Sequence, residues 1–277
     1  MKNTKISFIG CGNMGRSLIG GLISNGYNAN VLRGSETDPV KAQDIENTFG
    51  IKVYEDNTSA IKDAKIVILA VKPQNLLKTL SNIANQVKQD KSVVISIAAG
   101  VRIQALESIL GIDHPIIRVM PNTPALIRAG ASSMYANQSV TNSQREMAEE
   151  IMRSVGITIW LDNELLMDTV TALSGSGPAY FFLLMQAMEK AAIKLGLPID
   201  QARLLTLETA LGASKMAINS EVDTATLQHR VTSPGGTTEA AIQVLLEQGN
   251  FEELILDALT AAQKRSQEIA ETIGSSA

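Results

Sequence analysis

Cysteine occurs once in 277 residues, at position 11, so no disulfide can form within the chain, which suits a reducing compartment. Histidine occurs only at positions 114 and 229, and no His/Cys cluster with metal-ligand spacing is present, so no metal is expected. There is no run of Lys or Arg and the formal net charge is -4, which argues against nucleic acid as a partner. Apolar runs such as 66–71 are strand-length and far short of a membrane span. The N-terminus enters a strand at once, without the longer apolar stretch and small-residue cleavage site of a secretory signal, so a cytoplasmic location is expected. Neither a repeat nor a low-complexity segment is evident. What remains is ordinary globular composition, 45% hydrophobic and 19% charged, in a chain long enough for two domains.

The first half alternates short apolar runs with helical patterns. Strands are expected at 5–9, 30–32, 51–53, 66–70, 93–97 and 116–120, with 132–136 and 158–161 extending the sheet. Helices are expected at 14–25, 39–49, 73–85, 103–110 and 143–155. Interleaving of this kind means βαβ units and a mostly parallel sheet. Beyond residue 162 only helical periodicity appears, at 165–173, 179–195, 199–219, 224–228, 237–247 and 251–271. Several of these helices are apolar on more than one face, above all Tyr180-Phe181-Phe182-Leu183-Leu184-Met185, and such a helix must be covered. The fold class is α/β: with a glycine-rich turn at residues 10–15 between the first strand and the first helix, an N-terminal dinucleotide-binding domain of the Rossmann type (1–162) is expected, then an all-helical domain (163–277). An interlocked dimer is expected to bury the helices; a compact monomeric bundle is the alternative.

Gly10-Cys11-Gly12-Asn13-Met14-Gly15 is G-x-G-x-x-G between a strand and a helix. Gly10 permits the tight turn, Gly12 lets backbone approach a pyrophosphate, and Gly15 lets helix and strand pack closely, with the helix N-terminus toward the phosphates. The second strand ends Leu32-Arg33-Gly34-Ser35 rather than in the acid typical of an NAD site. Arg33 and Ser35 suit a 2′-phosphate, so NADP(H) is preferred. Glu36 and Asp38 follow closely and keep NAD(H) open. At the carboxyl ends of later strands lie Ala70-Val71-Lys72-Pro73, then Ala98-Ala99, small enough for a cofactor to lie against, then Asn122 in the proline-stiffened Met120–Pro124 loop.

A second glycine turn, Val231-Thr232-Ser233-Pro234-Gly235-Gly236-Thr237-Thr238-Glu239, opens a late helix. Free N–H groups at a helix start hold anions, here a substrate carboxylate. Proton donors are scarce. Tyr-x-x-x-Lys fails, because Leu184 stands four residues after Tyr180. The G-x-G-x-x-x-K of hydroxyacid dehydrogenases related to 6-phosphogluconate dehydrogenase fails too, because Phe181 holds the lysine position after Gly175-Ser176-Gly177. A ketone needs such a donor. A protonated imine does not: it already carries the proton, and hydride delivery neutralises it.

In Gly10–Gly15, Ala70–Pro73, Leu173–Tyr180 and Val231–Thr238 the chain closely resembles the pyrroline-5-carboxylate reductases, over essentially its whole length. The resemblance implies a helical dimerisation domain and a site at the dimer interface, often within a ring of five dimers. It implies that the Thr238 hydroxyl contacts the substrate ring nitrogen, that Ser233, Gly236 and Thr237 cradle the carboxylate, and that Glu164 is a substrate-side acid. Ser35 and Asn57 match contacts to the adenosine end of the cofactor, and Ala70 to Pro73 the segment lining it. Arg230 departs from members with a small polar residue there, which leaves its role open. The rival readings are a hydroxyacid dehydrogenase with a displaced acid and a non-catalytic NADP(H)-sensing dimer.

Overall fold

The computed structural model describes residues 2–274 and divides the chain into two compact units. One runs through Ser176 and takes in the chain again from Ala262; the other is Gly177–Ala261. The change of sequence pattern after residue 162 falls just past the last strand of the sheet.

The first unit is a doubly wound sheet. Its elements in order are β1 (Ile6–Ile9), α1 (Asn13–Ser24), β2 (Leu32–Ser35), α2 (Pro39–Phe49), β3 (Lys52–Tyr54), α3 (Asn57–Ile61), β4 (Ile66–Leu69), α4 (Pro73–Asp90), β5 (Val93–Ser96), α5 (Ile103–Leu110), β6 (Ile116–Met120), β7 (Gly130–Ala136), α6 (Asn142–Arg153), β8 (Gly156–Trp160) and α7 (Leu166–Val170). The eight strands lie in the order β3-β2-β1-β4-β5-β6-β7-β8, and every pair is parallel except β6 with β7. The order reverses direction between β1 and β4, which opens a ligand crevice at their carboxyl ends.

Strand alternation sends side chains into two separate cores. Ile6 and Phe8 of β1 pack with Leu18, Leu22, Ile45 and Met152 on one face. Ile9 packs with Leu76, Leu80 and Leu106 on the other. Phe8 is fully buried, which contributes about 2–3 kcal/mol relative to exposure.

Local chemistry explains where the expected boundaries shift. The second strand starts at Leu32 rather than Asn30, because the Asn28 side chain accepts from the Asn30 amide and closes a tight turn over Ala29–Val31. Helix α3 is too short to show a periodic pattern in the sequence; Asp56 caps it by accepting from the Ser59 amide at 2.7 Å. Helix α4 continues to Asp90, five residues past the expected end, until Lys91 turns left-handed. The helix expected over 165–173 is α7 followed by a π turn at Thr171–Gly175.

The second unit holds α8 (Gly177–Lys194), α9 (Ile199–Ile218), α10 (Thr224–Arg230), α11 (Thr237–Gln243) with a π turn at Val244–Gln248, and the first part of α12 (Phe251–Gly274). Helices α8 and α9 pack as a hairpin around Gly196, whose φ is +103°. Phe181, Phe182 and Leu183 are each more than 60% exposed in the single chain, and Leu204, Leu205 and Met216 are exposed too. A single copy therefore leaves these helices uncovered, against the alternative of a self-sufficient bundle.

Candidate functional site

The first glycine turn is built as its spacing requires. Gly10 sits at φ +89°, and a Cβ there would lie 2.9 Å from both the Ala70 carbonyl oxygen and Val71 Cγ1. A Cβ on Gly15 would lie 2.7 Å from the Gly10 carbonyl oxygen. Both positions are closed to any side chain by the protein itself. Gly12 is the opposite case: among the described residues nothing lies within 4 Å of its Cβ position. It is exposed and stands at the N-cap of α1 with no side chain capping the helix. The protein thus leaves room at one of its three motif glycines, at a helix start whose first amides have no intrahelical acceptor. That is a cradle a dinucleotide's phosphates fit. Asn13 is exposed beside it and Met14 half-buried.

Cys11 is buried, and its thiol is pushed up to about 12, chiefly by burial and then by the Glu36 charge. Its side chain is therefore neutral packing, and only its backbone belongs to the phosphate turn.

Around this turn the structure gathers several expected residues. The Gly10 amide donates to the Ser35 carbonyl at 3.3 Å, and the Ala70 amide to the Ile9 carbonyl at 2.8 Å. The Ser35 hydroxyl donates to Asn57 Oδ1 at 2.7 Å, so Ser35 and Asn57 form one polar pair at the end of β2 and the start of α3. Asp38 accepts from the Val40 and Lys41 amides, which holds its carboxyl below the ordinary range and commits it to capping α2. Glu36 accepts from the Asp38 amide.

Arg33 stands apart. Its guanidinium donates to the Lys62 carbonyl at 2.8 Å, past the far end of α3, whereas Ser35 and Asn57 meet at the near end. The structure does not bring Arg33 to them. Lys72 is exposed at the N-cap of α4 and Pro73 opens that helix. Ala98 is buried and Ala99 half-buried in the turn after β5. Asn122 is committed at both ends: its amide nitrogen donates to the Ser174 carbonyl at 3.1 Å and its oxygen accepts from the Ala131 amide at 2.9 Å. It bolts its loop to the scaffold, a role that the residue type alone did not distinguish from ligand binding.

Glu164 turns inward. Its Oε1 accepts from the Ile103 amide at 2.8 Å and from Arg118 at 2.9 Å. Arg118 and Asp168, both buried, were missed. The available signal was a charge inside the apolar run Ile116-Ile117-Arg118-Val119.

The late turn lies wholly in the helical unit. Gly235 is left-handed, φ +70°, and its amide donates to the Glu239 carboxylate at 2.7 Å. The Gly236 amide donates to the Ser233 carbonyl at 2.9 Å, and a Cβ on Gly236 would lie 2.9 Å from that oxygen. The Gly236 amide, expected in the carboxylate cradle, here closes the turn itself. Gly236 is the N-cap of α11, and no side chain caps it. The helix-start amides of Thr237 and Thr238 remain, and the turn also carries the hydroxyl residues Ser233 and Thr237, both exposed, and Thr238, half-buried. Among the described residues no group of His, Cys, Asp and Glu could hold a metal, and no helix is long and apolar enough to cross a membrane.

Comparison with known proteins covers both units. Residues 164–269 match the family model for pyrroline-5-carboxylate reductase dimerisation, and residues 5–100 the model for NADP oxidoreductase, coenzyme F420-dependent. The chain is 50% identical to a pyrroline-5-carboxylate reductase of Pseudomonas aeruginosa, over 99% of this chain and 100% of that one. A solved pyrroline-5-carboxylate reductase from Coxiella burnetii is 43% identical, with a TM-score of 0.92, over 97% and 99% of the two chains. The Plasmodium falciparum pyrroline carboxylate reductase, solved with NADP bound, is 29% identical, with a TM-score of 0.85, over 98% and 99%.

Proposed function

The chain belongs to the pyrroline-5-carboxylate reductase family, and we propose that it reduces the C=N bond of 1-pyrroline-5-carboxylate with NADPH to give L-proline. The observation that carries this reading is a pair of glycine turns of different chemistry in one chain. One has an open glycine at a helix start. The other carries three hydroxyl residues at a helix start and a single carboxylate, Glu239, which accepts from the Gly235 amide.

Residues 1–162 are proposed to hold the cofactor. Backbone from Gly10 to Gly15 receives the pyrophosphate, and Ala70 to Pro73 with Ala98 and Ala99 line the dinucleotide. Ser35 and Asn57 face its adenosine end. Their neutral pair, with Asp38 engaged in capping, supports NADP(H) over NAD(H). Arg33 supports it less, being tied to Lys62. When bound, the nicotinamide supplies the hydride that the imine carbon accepts.

Residues 163–277 are proposed to bind substrate and to dimerise. The Thr237 and Thr238 amides and the Ser233 hydroxyl hold the substrate carboxylate, which fixes the ring. The Thr238 hydroxyl hydrogen-bonds the ring nitrogen and orients it. A threonine hydroxyl is too weak an acid to be the proton source, so the proton already on the iminium stays on nitrogen as it becomes the amine. The exposed apolar faces of α8 and α9 pair with a second copy, with a ring of five dimers as the larger assembly. A cytoplasmic location fits a lone reduced cysteine.

The test is the decay of NADPH absorbance with pyrroline-5-carboxylate, beside piperideine carboxylate and short hydroxyacids with NADP⁺. Turnover of the five-membered imine with no hydroxyacid oxidation is expected. Hydroxyacid oxidation alone, or cofactor binding with no turnover, would overturn the reading.

A further inference from the structure

The turn after β5 is held from behind at three successive points. Gly100 is left-handed at φ +74°, and a Cβ there would lie 2.6 Å from Ile269 Cγ2. Arg102 lies 3.8 Å from the Asp168 carboxylate, which in turn accepts from the Ser266 hydroxyl at 2.6 Å. The Ile103 amide, first in α5, has no side-chain cap from Arg102 and is met by Glu164 instead. The same Glu164 oxygen takes the guanidinium of Arg118, whose side chain is 3% exposed. One carboxylate oxygen therefore joins the start of α5 to the buried middle of β6. All of these partners belong to the sheet-bearing unit. Just ahead of this clamp come Ala98 and Ala99.

We infer that Glu164 is a positioning residue for the cofactor rather than a substrate ligand: through Ile103 and Arg118 it sets the height of the Ala98–Gly100 turn against the dinucleotide, with Asp168 as its companion. A carboxylate accepting from a helix-start amide is favoured by the helix dipole, and its bond to a buried guanidinium is charge-assisted. Removing it leaves Arg118 uncompensated and α5 uncapped, so the turn swings about the permissive Gly100. This inference rests on the reading that Ala98 and Ala99 border the cofactor.

The test measures NADPH Kd by fluorescence titration without substrate, the KM for pyrroline-5-carboxylate at saturating NADPH, and thermal midpoint. E164A is expected to weaken NADPH about tenfold while the substrate KM moves less than about threefold. E164Q keeps an acceptor for the Ile103 amide and is expected to recover most of that loss; pairing it with R118M removes the stranded charge. Should E164A not fold, S266A and D168N loosen the companion anchor, and a weakening of NADPH of about threefold is expected. An unchanged NADPH Kd in folded E164A, or in S266A and D168N, would overturn the inference, as would a raised substrate KM with normal NADPH binding. Wild-type protein that binds NADPH but leaves the imine untouched would instead defeat the functional reading, since Kd is measured without turnover.

Discussion

The sulfur of Cys11 lies 2.6 Å from the point where a Cβ on Gly34 would stand. The phosphate turn and the second strand are thus in tight contact at this sulfur, with Gly34 buried on β2 and Cys11 buried against it. Gly34→Ala should cost about 1–3 kcal/mol by overpacking, and Cys11→Ala should recover most of it by removing the sulfur. Urea denaturation of the two single variants and the double variant measures this. Additive effects would show that the two positions do not touch.

The same burial predicts an unreactive thiol. With its thiol held near 12, Cys11 should resist iodoacetamide at pH 8 in the native protein and react once urea unfolds the chain. Mass spectrometry follows the modification. Fast labelling of folded protein would mean that the turn opens readily.

Gly10 and Gly12 should respond differently to alanine. Gly10→Ala meets backbone at 2.9 Å in a left-handed conformation, so it should destabilise the fold by several kcal/mol. Gly12→Ala has open space and an ordinary φ of -70°, so its midpoint should stay near wild type while NADPH binding weakens about tenfold or more. Calorimetry with a cofactor titration separates the two. Equal loss of stability in both would contradict a ligand cradle at Gly12.

His114 gives a pH signature. Burial lowers its affinity for a proton below the ordinary value of 6.5, and its Nε2 is buried without a hydrogen-bond partner among the described residues. The unfolded chain therefore binds this proton more readily, so the folded state loses stability as pH falls through about 6.5 and regains it above. Thermal midpoints between pH 8 and 5.5 should show this slope, and His114→Gln should flatten it. An identical slope in the variant would assign it to other groups.

Much of this fold is legible in the residues. The glycine spacing at 10, 12 and 15, set between an apolar strand and an amphipathic helix, named a doubly wound sheet because only that context needs all three glycines. What escaped was chemistry contributed across the chain. Gly236 looked like a free donor, yet Ser233 three residues earlier takes its amide. Asn122 looked like a ligand group, yet Ser174 and Ala131 hold both ends of its side chain. The family resemblance puts Glu164 on the substrate side, and the residues it bonds here, Ile103 and Arg118, lie 61 and 46 residues away along the chain. Local pattern reports which groups exist; only long-range packing decides which remain free.

The most direct test of the account is the pair Thr238→Val and Thr238→Ser, assayed for pyrroline-5-carboxylate reduction with NADPH Kd measured alongside. The serine variant keeps the hydroxyl and should retain most activity. The valine variant should lose about 10²–10³ in kcat with cofactor binding unchanged. Full activity in folded Thr238→Val would contradict the claim that this hydroxyl orients the imine.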